Sequence, residues 1–273
     1  MAISKALTIA GSDSGGGAGV QADLKTFAAL GVYGCSVITA VTAQNTHQVS
    51  GIEAISPPAV RQQLEAVLSD IHPDAIKTGM LANAEIVQTV AQTLGCFPKV
   101  PLVVDPVMVA KSGNILLAAD AVDVLRQQLI PLADVVTPNL PEAETLTGRK
   151  INGQEACIDA ARRILGMGAR AVVLKGGHRS LPPASSDVPQ VVDLFCDQYS
   201  VYPIAGPWID TPHTHGTGCT FAAAIAAELA KGLDLHAAVL RARQYLTGAL
   251  QSAFAVGRGK SPVHHFHRLW KNL

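Results

Sequence analysis

The residues best placed to do chemistry gather in one late stretch, His213-Thr-His-Gly-Thr-Gly-Cys-Thr220, which runs straight into the alanine-rich segment 221–230. A glycine-rich turn there feeds a helix. Gly216 and Gly218 free the backbone and remove side chains that would hold a ligand away. The first helical turn leaves N–H groups outside the helix ladder, and the positive end of the helix dipole faces the same way. Such an end binds anions, phosphate foremost. Cys219 lies within it, with Thr214 and Thr217 beside it, and a thiol there ionises more easily than in water. The stretch therefore offers a phosphate cradle and a base side by side. Read from the glycines alone, it is equally an ordinary loop ahead of a buried helix.

Other groups extend the pattern. Gly11-Ser-Asp-Ser-Gly-Gly-Gly-Ala-Gly19 follows a first apolar run. It lacks the G-x-G-x-x-G spacing with an acidic residue ending the second strand, which excludes a dinucleotide fold. Asp13 and Asp23 near it would repel phosphate, so this end is assigned to the phosphate acceptor. Gln44 carries a donor and an acceptor side by side. An aminopyrimidine edge presents the complementary pair, although a solvent-facing loop glutamine has the same composition. Asn139-Leu-Pro-Glu142 has capping-box spacing, and Glu142 could also stand on a magnesium-bound phosphate. Asp105, before Pro106, is a second carboxylate for that metal; Mg2+ keeps most of its waters and needs only one or two. Lys175, ahead of Gly176-Gly177-His178, could neutralise transferring phosphoryl oxygens, or be a solvated lysine before a turn. His264, His265 and His267, and the pair His213 and His215, have no Cys or carboxylate at ligand spacing and are not read as a metal site.

The elements that must position these groups follow from periodicity and turn residues. Strands are expected over 6–10, 33–43, 75–77, 100–104, 134–137 and 171–175. Helices are expected over about 19–30, 57–70, 83–94, 120–129, 140–147, 154–166, 217–230 and 235–255. The segment 44–55 reads as short strands or a flap, 180–190 as a surface loop, and 191–195 with 199–204 as a hairpin. Alternating strands and helices predict an α/β fold, three-layer α/β/α, with a largely parallel central sheet and right-handed crossovers. Ligands in such sheets bind beyond the carboxyl ends of the strands. Gly11, Gln44, Gly79, Asp105, Asn139, Gly176 and Gly216 all stand at such ends or at helix starts.

Bulk properties agree. The chain has 273 residues, 48% of them hydrophobic and only 4% aromatic, so its core is aliphatic. No linker divides it, and one domain over 1–273 is expected. Lys+Arg and Asp+Glu both number 21, which suggests no nucleic-acid surface. The cysteines, 5 in number and scattered, fit a reducing compartment. The apolar start reads as a strand rather than a signal peptide, and no apolar stretch is long enough to span a membrane. A cytoplasmic location is expected.

Taken together the residues resemble the ribokinase-like superfamily, and more closely the hydroxymethylpyrimidine/phosphomethylpyrimidine kinases of thiamine biosynthesis. The resemblance runs nearly end to end. It rests on Leu7–Thr26, Tyr33–Ala40, Ala43-Gln-Asn-Thr46, Lys77-Thr-Gly-Met-Leu81, Val104-Asp-Pro-Val-Met108, Thr137-Pro-Asn-Leu-Pro-Glu142, Lys175-Gly-Gly-His178, His213–Thr220 and Pro262-Val-His-His-Phe266. It implies phosphorylation of 4-amino-5-hydroxymethyl-2-methylpyrimidine by ATP with Mg2+, then of its monophosphate to the diphosphate. By position, Gln44 would pair with the aminopyrimidine edge, and Gly11, Ala18, Asp23, Met80 and Val107 would surround the ring and its hydroxymethyl group. Asn139, Glu142, Lys175, Gly177, His178, Thr214, Gly216 and Gly218 would hold ATP. Asp105 and Glu142 would hold magnesium through water. Cys219, with Gly216, Thr217, Gly218 and Lys175, would serve the transfer itself. Cys219 stands where most of the superfamily carries an aspartate base; it acts either as the base or as a residue small enough for two successive acceptors. The family also implies a homodimer. Two other functions stay open: a pyridoxal kinase using the same pocket, and a catalytically silent pyrimidine-binding regulator.

Overall fold

β-Branched and aliphatic runs form the strands, and the segments between them pack as helices on both faces. In the computed structural model, which describes residues 2–109, 116–176 and 190–270, the order begins β1 (Lys5–Asp13), α1 (Gly19–Ala29), β2 (Tyr33–Gln44), β3 (Val49–Ala54), α2 (Pro57–Asp70), β4 (Ala75–Thr78), α3 (Ala84–Gly95) and β5 (Leu102–Val104). It continues with α4 (Ala121–Val124), β6 (Val135–Val136), α5 (Leu140–Thr147), α6 (Gln154–Leu165), β7 (Ala171–Leu174), β8 (Gln190–Asp197), β9 (Val201–Pro207), α7 (Thr217–Ala230) and α8 (Leu235–Gln251). The strands form one sheet ordered β3-β2-β1-β4-β5-β6-β7-β8-β9. Pairing is parallel from β2 through β1, β4, β5 and β6 to β7, and antiparallel where β3, β8 and β9 extend the two margins.

The central strands β4, β5, β6 and β7 are buried throughout, as parallel strands covered on both faces must be. Alternation along each strand divides the core in two. Leu7, Ile9, Ile76, Leu102, Val104, Val136, Val172 and Leu174 face α2, α3, α5 and α6. Ala6, Ala75, Val103, Val135, Ala171 and Val173 face the layer containing Phe27, α7 and α8. Small residues on this second face let the alanine-rich α7 lie close; it is buried from Thr220 to Ala230.

The differences from expectation have local causes. The helix expected over 120–129 is one α-helical turn, followed by a π-helical turn (Leu125–Leu129) and a 3-10 turn (Ile130–Leu132). Pro131 lacks the amide that a continuing helix needs. β5 and β6 are shorter than their apolar runs, and α8 stops at Gln251 rather than near 255. β1 runs on to Asp13 instead of stopping at Gly11, with a register shift between Ala10 and Ser12. The segment 44–55 carries β3, and the hairpin is β8–β9. Most of the loop expected over 180–190 lies outside the described residues.

The sheet also encloses a charge pair. Lys77 Nζ lies 2.8 Å from Asp23 Oδ2, both side chains at 0% exposure, and Thr8 Oγ1 donates to the same oxygen at 2.6 Å. Removing one member of a buried pair strands the other charge. Lys77→Met should therefore lower the urea-unfolding free energy by about 3–5 kcal/mol. Lys77→Met/Asp23→Leu should recover a substantial part of that loss; a double variant as unstable as the single would show that the pair is not the cause.

Candidate active site

The parallel strands all end at one edge, and a cavity of about 330 Å³ opens there. β1 delivers Gly11 and Asp13 to it, β2 delivers Gln44, the segment after β5 delivers Asp105 and Val107, and the turns after β6 and β7 deliver Asn139 and Lys175. The roof is the start of α7. Gly216 caps that helix with φ +75°, and a Cβ there would stand 1.8 Å from the Gly17 carbonyl oxygen. Only glycine satisfies both the left-handed backbone and the contact. Gly218 adjoins the charged groups: a Cβ on it would lie 3.4 Å from Lys175 Nζ and 3.6 Å from Asp105 Oδ2. The amides of the first turn thus open beside a lysine and a carboxylate.

On the β2–β1–β4 side of the sheet edge the cavity is lined by Gly11, Ala18, Gln44 and Met80, and Val107 lines it from the segment after β5. Met80 packs on Gly11, where a Cβ would meet its sulfur at 2.9 Å. On the β6–β7 side, Asn139 and Glu142 form a reciprocal capping box, with Glu142 N donating to Asn139 Oδ1 at 2.9 Å and Asn139 N to Glu142 Oε2 at 2.8 Å. Lys175 Nζ stands between two carboxylates, 2.9 Å from Asp105 Oδ1 and 4.0 Å from Glu142 Oε2. Burial pushes the Glu142 carboxyl up to about 7, Lys175 opposing and Asp105 adding to the shift. Burial would lower Lys175, but Asp105 and Glu142 outweigh it, and the ammonium is held above its usual range. Two hard carboxylates in one cluster fit Mg2+, which takes one or two such ligands and keeps its remaining waters.

Of the residues expected at the site, Gly11, Ala18, Gln44, Met80, Val107, Asp105, Asn139, Glu142, Lys175, Thr214, Gly216, Thr217, Gly218 and Cys219 all line the cavity. Gly177 and His178 lie outside the described residues. Asp23 is a correction: it is fully buried beneath the site, spent on Lys77 and Thr8, and does not reach the cavity. Cys219 stands at the cavity in the first turn of α7. Burial pushes its thiol up to about 11, with Lys77 opposing and Asp23 and Asp105 adding, while the Gly19 amide donates to the sulfur. A helix start lowers a thiol's pKa, but desolvation beside two carboxylates wins here.

Three basic cavity residues were not among those expected. Lys77, buried and charged, reaches the cavity from the floor. Its sequence signal was a lone lysine in the strand segment Ala75–Thr78. His215 lies inside the glycine-rich stretch itself and points to the acceptor end, 2.9 Å from Asp13 Oδ2; it had been weighed only as a metal ligand. Arg243, held 3.1 Å from Asp193 Oδ2, also lines the cavity from α8, and no local pattern marks it.

The raised thiol gives a direct prediction. In the unliganded protein the alkylation rate of Cys219, followed by mass spectrometry against the exposed Cys96, should still be climbing at pH 9–10. A rate already level at pH 7 would mean a thiolate that the geometry does not support.

Comparison with known proteins gives this site its family. The model of a family described as phosphomethylpyrimidine kinase matches residues 13–264. A hydroxymethylpyrimidine/phosphomethylpyrimidine kinase of Rhizobium meliloti is 52% identical over 270 residues, 98% of each chain. The thiamine biosynthesis bifunctional protein ThiED of Geobacter sulfurreducens is 52% identical over 259 residues, 95% of this chain, which spans about half (51%) of that longer protein. Among solved structures, an ADP complex of Bacillus subtilis pyridoxal kinase superposes with a TM-score of 0.87 at 38% identity, covering 98% of this chain and 100% of that one. The chain belongs to the phosphomethylpyrimidine kinase family and has its ribokinase-like fold.

Proposed function

We propose that the chain acts as one kinase domain that transfers the terminal phosphate of ATP first to the hydroxymethyl group of 4-amino-5-hydroxymethyl-2-methylpyrimidine and then to the resulting monophosphate, in thiamine diphosphate biosynthesis. The observation that carries the reading is the arrangement of the cavity. Gln44 and Met80 line it from the β2–β1–β4 side of the sheet edge, Asn139, Glu142 and Lys175 from the β6–β7 side, and the start of α7 lines it as well. The heterocycle sits on the first side, with Gln44 on its aminopyrimidine edge. ATP sits on the second, its phosphates against Lys175, Thr214 and the amides of Gly216–Cys219. Asp105 and Glu142 would hold Mg2+, which when bound would neutralise charge on the phosphates. Catalysis in phosphoryl transfer is chiefly positioning and electrostatic stabilisation, and this chain supplies both through preorganised amides and the paired ammonium groups of Lys77 and Lys175.

Cys219 needs a role that a neutral thiol can fill. The acceptor alcohol's proton becomes acidic late, as its oxygen bonds to phosphorus. The thiol serves as a relay: sulfur takes that proton while S–H passes its own to a phosphoryl oxygen, so the thiol is unchanged at the end. A homodimer in a reducing, cytoplasmic compartment completes the reading, supported by 5 cysteines scattered along the sequence with no pairing pattern.

A second substrate has a specific observation behind it. The pyridoxal kinase of Bacillus subtilis superposes along nearly the whole chain, so an aromatic alcohol with an aldehyde could enter the same pocket. A silent pyrimidine-binding regulator is disfavoured by the assembled Asp105–Lys175–Glu142 cluster, which binding a heterocycle alone does not need.

Product analysis tests the proposal. With ATP, Mg2+ and the pyrimidine alcohol, the monophosphate should appear first and the diphosphate after it, with turnover on pyridoxal well below both. Absence of ADP would favour the silent regulator. Cys219→Ala should lower turnover by about 10²-fold or more, the usual contribution of a positioned proton-transfer group. Near-normal turnover in that variant would leave Cys219 with a purely steric role.

A further inference from the structure

Asp13, which is buried, and His215, which is partly exposed, form an assembly at the acceptor end that the transfer itself does not require. Asp13 is 3% exposed. Its Oδ1 accepts from Gly15 N at 2.8 Å, and its Oδ2 from Gly17 N at 3.0 Å and Ala18 N at 2.8 Å. His215 Nε2 lies 2.9 Å from the same Oδ2. Both oxygens of a carboxylate only accept, so His215 Nε2 must carry the hydrogen there. The ring is clamped in this pose: a Cβ on Gly17 would stand 2.5 Å from His215 Cδ2 and 2.9 Å from Pro262 Cβ.

That N–H also faces Gln44. The Gln44 Nε2 position is 3.3 Å from His215 Nε2, and the Oε1 position is 3.2 Å from Thr42 Oγ1. Thr42 Oγ1 has one hydrogen, and the Ser12 carbonyl lies 2.9 Å away to take it. An amide fills the same volume either way round, and the hydrogen-bond network decides between the two. With nitrogen toward His215, two donors oppose each other and the Thr42 hydroxyl must donate twice. With oxygen toward His215 and nitrogen toward Thr42, no two donors oppose: the His215 N–H is shared between Asp13 and Gln44 Oε1, Gln44 Nε2 donates to Thr42, and the Thr42 hydroxyl donates to Ser12 alone.

We propose that His215, fixed by Asp13, is a positioning residue that turns the Gln44 amide with Oε1 toward the imidazole and Nε2 toward Thr42, and so sets the donor–acceptor order presented to the substrate heterocycle. The proposal rests on the reading that Gln44 meets that heterocycle. The substrate class follows from the order. The ring must carry an exocyclic donor on the His215 side and an aromatic nitrogen acceptor on the Thr42 side, while its hydroxymethyl group points to Gly216–Cys219. A ring with a carbonyl and an N–H in those places meets like against like.

The experiment compares the 4-amino substrate with its 4-oxo analogue, which has the same hydroxymethyl group and a reversed hydrogen-bonding edge. The wild-type enzyme should favour the amino ring strongly, since a site built around polar partners rejects a mismatched one. His215→Leu should shrink that preference by about tenfold or more, mostly through KM for the amino ring, and His215→Gln should restore part of it. An unchanged preference in an active His215→Leu enzyme overturns the proposal. Should the variant fold poorly, nitrogen-15 NMR of the wild-type protein decides: His215 should carry a hydrogen on Nε2, and the Gln44 amide protons should show contacts to Thr42 rather than to His215. The opposite pattern overturns it. A Gln44→Leu enzyme that still distinguishes the two rings would instead refute the role of Gln44 itself, whatever the NMR shows.

Discussion

The structure depends on one close backbone contact. Gly216, at the start of α7, lies so near the Gly17 carbonyl that any Cβ would collide with it, and the turn takes a backbone angle that other residues resist. A second contact of the same kind ties Gly19 to Gly11, where a Cβ would stand 2.2 Å from the carbonyl oxygen. Together they press a helix start from late in the chain onto the loop after the first strand. The anion-binding amides and the acceptor pocket face each other for that reason. The Gly19 amide reaches Cys219 across the same junction, and His215 reaches Asp13.

Electrostatics build on this geometry. Two ammonium groups lie under and beside the cradle, and each is paired with its own carboxylate, the fully buried Lys77 with Asp23 and the partly exposed Lys175 with Asp105. Burying a lone charge is costly, and pairing offsets much of the cost. The consequence for a polyanionic ligand is that positive charge is already fixed in place and need not reorganise. The same desolvation explains why Cys219 is a neutral thiol in the free protein, and why Glu142, beside Asp105, holds its proton more tightly than an exposed glutamate would.

The sequence made the strand–helix alternation and the single carboxyl edge legible, because aliphatic runs bounded by glycine and aspartate have few other uses. The capping box at Asn139 and Glu142 was legible for the same reason: its spacing is its mechanism. Side-chain direction was not. Asp23 is on α1 near the glycine-rich loop, yet it faces the core, where Lys77 waits on β4. A local pattern cannot report a partner 54 positions away. The surroundings of Cys219 were not legible for the same reason. The helix start is local and visible, while the burial and the carboxylates that outweigh it come from other elements.

The central claim is that the opening turn of α7 receives the migrating phosphoryl group. A crystal structure with a non-hydrolysable ATP analogue, magnesium and the pyrimidine alcohol tests it most directly. The account predicts the terminal phosphorus within hydrogen-bonding reach of the backbone amides of Gly216–Cys219, with the alcohol oxygen on its far side near Cys219. A nucleotide whose terminal phosphate lies away from that turn would contradict it.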